Sequence, residues 1–236
     1  MVEAGMMNNL NFHRFEDEET LAFSLAQSIV GHLNDAIAEK GSASLIVSGG
    51  STPKKLFKAL SSMNIEWDKI KIGLCDERLV ESNHPDSNEK LVRETLMTSY
   101  AEKATFVSMI GDSLEVDETG CSRRIQSSLA PFDVIVLGMG EDAHTASLFP
   151  NNPKLHEAYD LTRENICIAI EPQHAPHKRI SLTLGAILSA HHVYLHFQGE
   201  SKLNVYTEAL QGTDTFAMPI RAIINQTDKT IEVYSA

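Results

Sequence analysis

Apolar residues along this chain follow two alternating rhythms. Leu21, Leu25, Ile29, Leu33 and Ile37 recur every four residues among polar neighbours, which is one face of an amphipathic helix, and Gly41 is placed to stop it. Short apolar, often β-branched runs have no such spacing: Ala43 to Val47, Ile70 to Cys75, Ala104 to Met109, Val134 to Leu137, Ile166 to Ile170, Val193 to Phe197 and Thr230 to Tyr234. Their length and the turn residues around them predict buried strands. Helical patterns separate them at Lys54 to Ser62, Asn88 to Tyr100, within Glu115 to Leu129, Leu182 to Ala190 and Ser201 to Gln211. The alternation predicts an α/β fold, a mostly parallel sheet with helices on both faces. No repeat, low-complexity tract or linker-like stretch divides the chain, so residues 1–236 read as one domain. Its loopiest part, Asn151 to Asn165, is where a small subdomain or lid would sit.

Composition narrows the partners. The chain has 236 residues, 42% of them hydrophobic, and a formal charge of −12, so neither nucleic acid nor an anionic membrane surface is an expected partner, since both need a basic field. Any anionic ligand must instead find a local cationic pocket. Cys75, Cys121 and Cys167 are widely spaced and odd in number, which suggests neither a disulfide framework nor a zinc site and fits a reducing, cytoplasmic setting. Met1 to Asn11 lacks the basic and apolar regions of a signal peptide, and no apolar run approaches the roughly 18 residues of a membrane span.

Candidate chemistry gathers where predicted strands end. Leu45-Ile46-Val47 runs into Ser48-Gly49-Gly50-Ser51-Thr52-Pro53, a strand-to-helix loop in which Ser51 or Thr52 is an expected N-cap and Pro53 the first helical residue. Gly49, Gly50, Ser51 and Thr52 would present backbone N–H groups to a phosphate, but the spacing and lysine of a nucleoside-triphosphate loop are missing. Val134 to Leu137 runs into a second glycine loop, Gly138-Met139-Gly140-Glu141-Asp142-Ala143-His144, closed by Pro150. His144 suits proton transfer near neutrality; a helix beginning there would oppose its positive charge, and Asp142 would favour it. Asp76-Glu77-Arg78 ends another strand, and Arg179 and Lys202 flank the same layer, so Arg78, Arg179 and Lys202 are candidate anion ligands. His84, His174, His177, His191 and His192 show no metal-ligand spacing and receive no role, and no metal is assigned to Glu141, Asp142 and His144.

Taken in order, Ser48 to Pro53, Asp76-Glu77-Arg78, Gly138 to Pro150, Arg179-Ile180-Ser181-Leu182-Thr183 and Gly199-Glu200-Ser201-Lys202 resemble the 6-phosphogluconolactonase family. That family shares a superfamily with glucosamine-6-phosphate deaminases, on a Rossmann-like sheet. The branches differ after the histidine: lactonases read His-Thr-Ala-Ser-Leu-Phe-Pro, as His144 to Pro150 does here, and deaminases read His-Ile-Ala-Phe-Asn-Glu-Pro. The resemblance implies hydrolysis of 6-phospho-D-glucono-1,5-lactone, a small sugar-phosphate substrate, without cofactor. It implies His144 as the catalytic residue beside Asp142, and the first glycine loop with Arg78, Arg179 and Lys202 as substrate or phosphate ligands. Two other readings stand beside it, a deaminase-like isomerase using Asp76 and a non-catalytic sugar-phosphate binder. The chain departs from the family's Asp-Gly-His in reading Asp142-Ala143-His144. Alanine is expected there at negative φ, where it fits without strain.

Overall fold

The four-residue rhythm becomes α1 (Glu18–Lys40), which buries Leu21, Leu25, Ile29, Leu33 and Ile37. Asp17 caps its start, accepting the Thr20 N–H at 2.8 Å, and Gly41 closes its end by donating to the Ile37 carbonyl. The computed structural model describes residues 9–111 and 113–236; most of the Met1 to Asn11 reading lies outside them. Among the described residues no helix is long and apolar enough to cross a membrane.

Seven strands form one sheet with every neighbouring pair parallel, in the order β1 (Leu10–Arg14), β10 (Ile231–Ser235), β9 (His192–Phe197), β6 (Val134–Leu137), β2 (Ala43–Val47), β3 (Ile70–Leu74) and β5 (Thr105–Phe106). From β2 the chain steps outward through α2 (Lys54–Ser61) to β3 and on to β5. It then returns through α4 (Glu118–Leu129) to β6, on the other side of β2. Right-handed crossovers in opposite directions put their helices on opposite faces. The steps from β1 to β2 and from β2 to β3 run the same way, so α1 packs beside α2. Neighbouring β2 and β6 mark the reversal of strand order, where a crevice opens beyond the strand ends. Both glycine loops leave the sheet at that crevice.

Chain leaving β3 enters a second sheet. Cys75 N–H donates to Val47 on the large sheet, and the Cys75 carbonyl accepts from Leu182. There β4 (Asp76–Arg78), β8 (Arg179–Leu182) and β7 (Cys167–Ile170) pair antiparallel in that order. One continuous hydrophobic core spans both sheets.

Several boundaries differ from the sequence reading. Asn88 to Tyr100 divides into α3 (Asn88–Thr95) and a 3-10 turn at Ser99–Lys103, and the Ala104 to Met109 strand shrinks to β5. Leu182 closes β8, and Thr183 caps the short α6 (Leu184–Leu188). The region Asn151 to Asn165 carries only α5 (Leu155–Ala158), while the small sheet draws a strand from much earlier in the chain. The widely spaced Cys121 and Cys167 meet as free thiols, with sulfurs 3.0 Å apart where α4 packs on β7.

Candidate active site

A cleft of about 230 Å³ opens at the reversal point between β2 and β6. Ser48, Gly49, Gly50, Ser51 and Thr52 form one wall, with Arg78 and Lys202 beside them, and Gly138, Gly140 and His144 contribute another. The two loops are tied together: Gly138 N–H donates to Ser48 Oγ at 3.2 Å, and Ser48 N–H donates to the Val136 carbonyl at 3.1 Å.

In the first loop, Pro53 rather than Ser51 or Thr52 occupies the cap position, and α2 starts at Lys54 with no side chain bonded to its first turn. The expected hydroxyl cap is therefore absent. A φ near −78° at Pro53 already suits helical entry, and the uncapped N–H groups are what an anion binds at a helix start. The Thr52 hydroxyl instead accepts from Lys202 Nζ at 3.3 Å. Lys202 comes from α7 (Glu200–Leu210), following β9, and burial lowers its pKa despite the opposing pull of Glu141. Partial desolvation leaves this cation with unused electrostatic capacity for a ligand.

Arg78 is aimed by its neighbours. Its Nη1 donates to Asn88 Oδ1 and, at 3.1 Å, to the Asp86 carbonyl, while Asn88 Nδ2 donates to the Asp76 carbonyl at 2.8 Å. A Cβ on Gly49 would lie 1.9 Å from Asn88 Oδ1, so only glycine lets the loop close over this amide. The segment before it is no solvated charged turn. Glu77 is buried, which raises its pKa, yet it accepts the N–H groups of Arg78, Asn88 and Glu89 and the Ser87 hydroxyl. Arg179 pairs with Arg78 across β4 and β8 and is also buried, which lowers its pKa. Its side chain leaves the small sheet on the same face as that of Arg78, whose charge also lowers its pKa; the residue borders a smaller cavity with Leu79, Met109 and Arg124.

The second loop folds back on itself. Gly140 N–H donates to the His144 carbonyl, Ala143 N–H to the Gly140 carbonyl, and Thr145 Oγ1 to the Gly138 carbonyl. No helix starts at His144: an isolated bridge joins Thr145 to Leu148, and the next helix is α5. Ala143 and Ala146 stand at φ 66° and 48°, left-handed values that break helical progression here. The ring therefore does not sit on the N-terminus of a helix of its own segment. Nor does Ala143 adopt the expected negative φ; it is fully buried, and its carbonyl accepts from Ile220 at 3.0 Å. Those tertiary contacts hold a conformation that alanine alone disfavours.

His144 Nδ1 lies 2.5 Å from Asp142 Oδ1, which also accepts the His144 backbone N–H at 3.1 Å. Burial opposes the Asp142 charge, but the bonds and charge of His144 outweigh it and lower the pKa. A Cβ on Gly140 would come within 2.2 Å of His144 Nδ1, so the glycine makes room for the ring. Phe149 packs on the ring's other surroundings, with centroids 4.8 Å apart.

Three further residues escaped the sequence reading. Asn88 holds Arg78, Ser147 donates its hydroxyl to Asp76 Oδ2 at 2.5 Å, and His196 lines the cleft from β9. Ser147 and Asn88 stood inside quoted segments, but their partners are fixed only by tertiary contact. His196 lies in an apolar strand that gives no hint of a cleft.

A doubly wound α/β protein with a histidine–carboxylate pair and an uncapped helix start at one cleft is thus defined by the fold and the cleft. Residues 16–232 match the family of glucosamine-6-phosphate isomerases/6-phosphogluconolactonase. A 6-phosphogluconolactonase of Rhizobium meliloti is 39% identical over 228 residues, covering 96% of this chain and 98% of the relative. The crystal structure of a 6-phosphogluconolactonase from Shewanella baltica superposes with a TM-score of 0.92 at 41% identity, covering 98% of this chain and 100% of that one. A monomeric glucosamine-6-phosphate deaminase shares the fold at a TM-score of 0.75 and 19% identity, over 95% of this chain and 96% of the other. The chain belongs to the glucosamine-6-phosphate isomerase/6-phosphogluconolactonase family.

Proposed function

We propose that this chain is a lactonase that hydrolyses 6-phospho-D-glucono-1,5-lactone to 6-phosphogluconate, with His144 as its acid–base residue. The observation that carries the reading is that one cleft is lined both by Lys202, Arg78 and the uncapped start of α2 and by His144, whose Nδ1 meets Asp142. A sugar lactone with phosphate on C6 and its carbonyl on C1 calls for both kinds of group. The close lactonase relatives support the substrate class.

In this scheme Asp142 holds Nδ1 and leaves Nε2 for proton transfer. Nε2 takes a proton from water as the oxygen adds to the C1 carbonyl. The tetrahedral oxyanion collapses, the bond from C1 to the ring oxygen breaks, and that oxygen receives the proton from Nε2 as the C5 hydroxyl. The released acid then ionises. Lys202, Arg78 and the N–H groups of the first glycine loop hold the phosphate, so the lactone's position is set from its far end. The reaction uses no metal and no nucleotide.

The sequence after the histidine, Thr145-Ala146-Ser147-Leu148-Phe149-Pro150, favours this reading over the deaminase-like one. Asp76 lines the cleft, and its Oδ2 accepts the Ser147 hydroxyl at 2.5 Å. We place the enzyme in the cytoplasm, where its three free, buried cysteines stay reduced. The test runs three substrates with a chelator present throughout: the phosphorylated lactone, unphosphorylated glucono-1,5-lactone and glucosamine 6-phosphate. Rapid proton release from the first, much slower release from the second and no ammonia from the third is the expected result. Ammonia release, or no hydrolysis above the spontaneous rate, overturns the reading.

A further inference from the structure

The paired arginines that end β4 and begin β8 also bring two loops together outside the cleft. Because Arg78 faces Arg179 across the antiparallel ladder, and Leu79 N–H continues it to the Lys178 carbonyl, the chain leaving β4 and the chain entering β8 run side by side. The first carries His84 and Asp86 and the second carries His177. The sequence showed no ligand pattern because Asp86 and His177 are 91 positions apart.

We propose that His84, Asp86 and His177 form a surface site for a zinc-class divalent ion, separate from the reacting groups of the cleft. One ligand atom from each lies within 4.8 Å of the others. His177 Nε2 is 2.9 Å from Asp86 Oδ2, and His84 Nδ1 is 3.9 Å from the same oxygen. Ligands about 2.0–2.1 Å from a tetrahedral zinc ion are roughly 3.3 Å from one another, so both separations need only small side-chain adjustments. Two imidazoles and one carboxylate suit zinc and leave a fourth position for water.

The ligand atoms already face one another, and a 2.9 Å hydrogen bond holds His177 Nε2 on Asp86 Oδ2. His84 Nδ1 accepts the Asp86 backbone N–H at 3.1 Å; an ion would replace this bond and the one between His177 Nε2 and Asp86 Oδ2, releasing the proton they share. Arg78 donates to the Asp86 carbonyl, not to its carboxylate, so this nearby cation leaves the ligand oxygens open. His177 itself sits at φ 68°. A histidine held in that left-handed region is tolerated where tertiary contacts over-determine it, and here the ring is carried onto Asp86. All three side chains are partly exposed, so an ion has a route in.

The test titrates zinc chloride into chelator-treated, full-length protein by calorimetry and repeats the titration with cobalt(II), following its visible absorption. One equivalent of zinc should bind with low-micromolar or tighter affinity, and cobalt should give the intense bands of a tetrahedral centre. His84→Ala and His177→Asn should each weaken zinc binding by more than about tenfold, whereas His191→Ala should not change it. Asparagine keeps the left-handed backbone accessible, so loss of affinity in His177→Asn reports the missing imidazole, and circular dichroism checks the fold. No stoichiometric binding by the parent, or parent-like affinity in both loop variants, overturns the site.

Discussion

Two histidines line the same cleft, and their surroundings give them opposite properties. His144 stands on the loop after β6, one third exposed, with Asp142 2.5 Å from its Nδ1. His196 stands near the end of β9, 2% exposed, with Gln198 Nε2 3.4 Å from its Nε2. Burial, reinforced by the charge of Lys202, pushes the pKa of His196 down to about 4. A carboxylate can stabilise an imidazolium that forms for an instant on His144, and nothing comparable faces His196. Residue type thus says little about which histidine moves a proton. The loop that supplies a carboxylate and an edge of solvent decides it, while the strand end supplies a neutral wall.

The largest expected effect separates these roles. His144→Ala should lower kcat for the phosphorylated lactone by about 10²-fold to 10⁴-fold, the usual loss for a positioned acid–base group, with unchanged circular dichroism. Spontaneous hydrolysis is subtracted. His196→Gln, which keeps a polar side chain of similar reach, should stay well within tenfold of the parent. Equal losses in the two variants would end the contrast between them.

His196 should announce itself in stability instead. Its folded pKa, about 4, is below the ordinary value of 6.5, so the unfolded chain takes up a proton that the folded chain refuses. The contribution is present in full above pH 6.5 and is lost as pH falls toward 4, amounting to on the order of 3 kcal/mol from this group. Urea midpoints of the parent should therefore fall between neutral and mildly acidic pH more steeply than those of His196→Gln. Parallel curves would show that His196 takes up its proton without resistance.

The same contrast explains what could be read in the chain. The strands β2, β3, β6, β7, β9 and β10, the helix α1 and both glycine loops were legible because each is a local pattern, an apolar run or a four-residue period ending in a turn. The gathering of β7 with β4 and β8 into a second sheet was not. Asp76-Glu77-Arg78 is three charged residues, and it becomes a strand only because β8 pairs with it and Glu77 finds three donors in the following helix start beside the Arg78 N–H. β1 was equally silent: its exposed Asn11 and half-buried His13 alternate weakly, and its pairing with β10 joins opposite ends of the chain. Within the site, His144, Lys202 and the Ser48 to Pro53 loop converge on one cleft, while Arg179 lies opposite Arg78 on the small sheet and borders a neighbouring cavity. Which way a side chain leaves a strand of an unrecognised sheet is set by register, and register is tertiary.

Ala143 carries the smallest effect and the most direct reading of strain. At φ 66° an alanine in this loop costs roughly 1–2 kcal/mol relative to glycine. Against that, Ala143→Gly removes a fully buried methyl worth about 0.8 kcal/mol. The strain term is the larger, so the variant should be more stable than the parent by a few tenths of a kcal/mol to about 1 kcal/mol, read as a small rise in Tm. Activity should stay within about threefold, because the loop is already held by the bonds from Gly140 to His144 and from Ile220 to Ala143. A fall in Tm would mean that methyl packing, not backbone relief, governs this position. A fall in kcat without a fall in Tm would mean that the alanine itself restricts the loop and keeps His144 in register with Asp142.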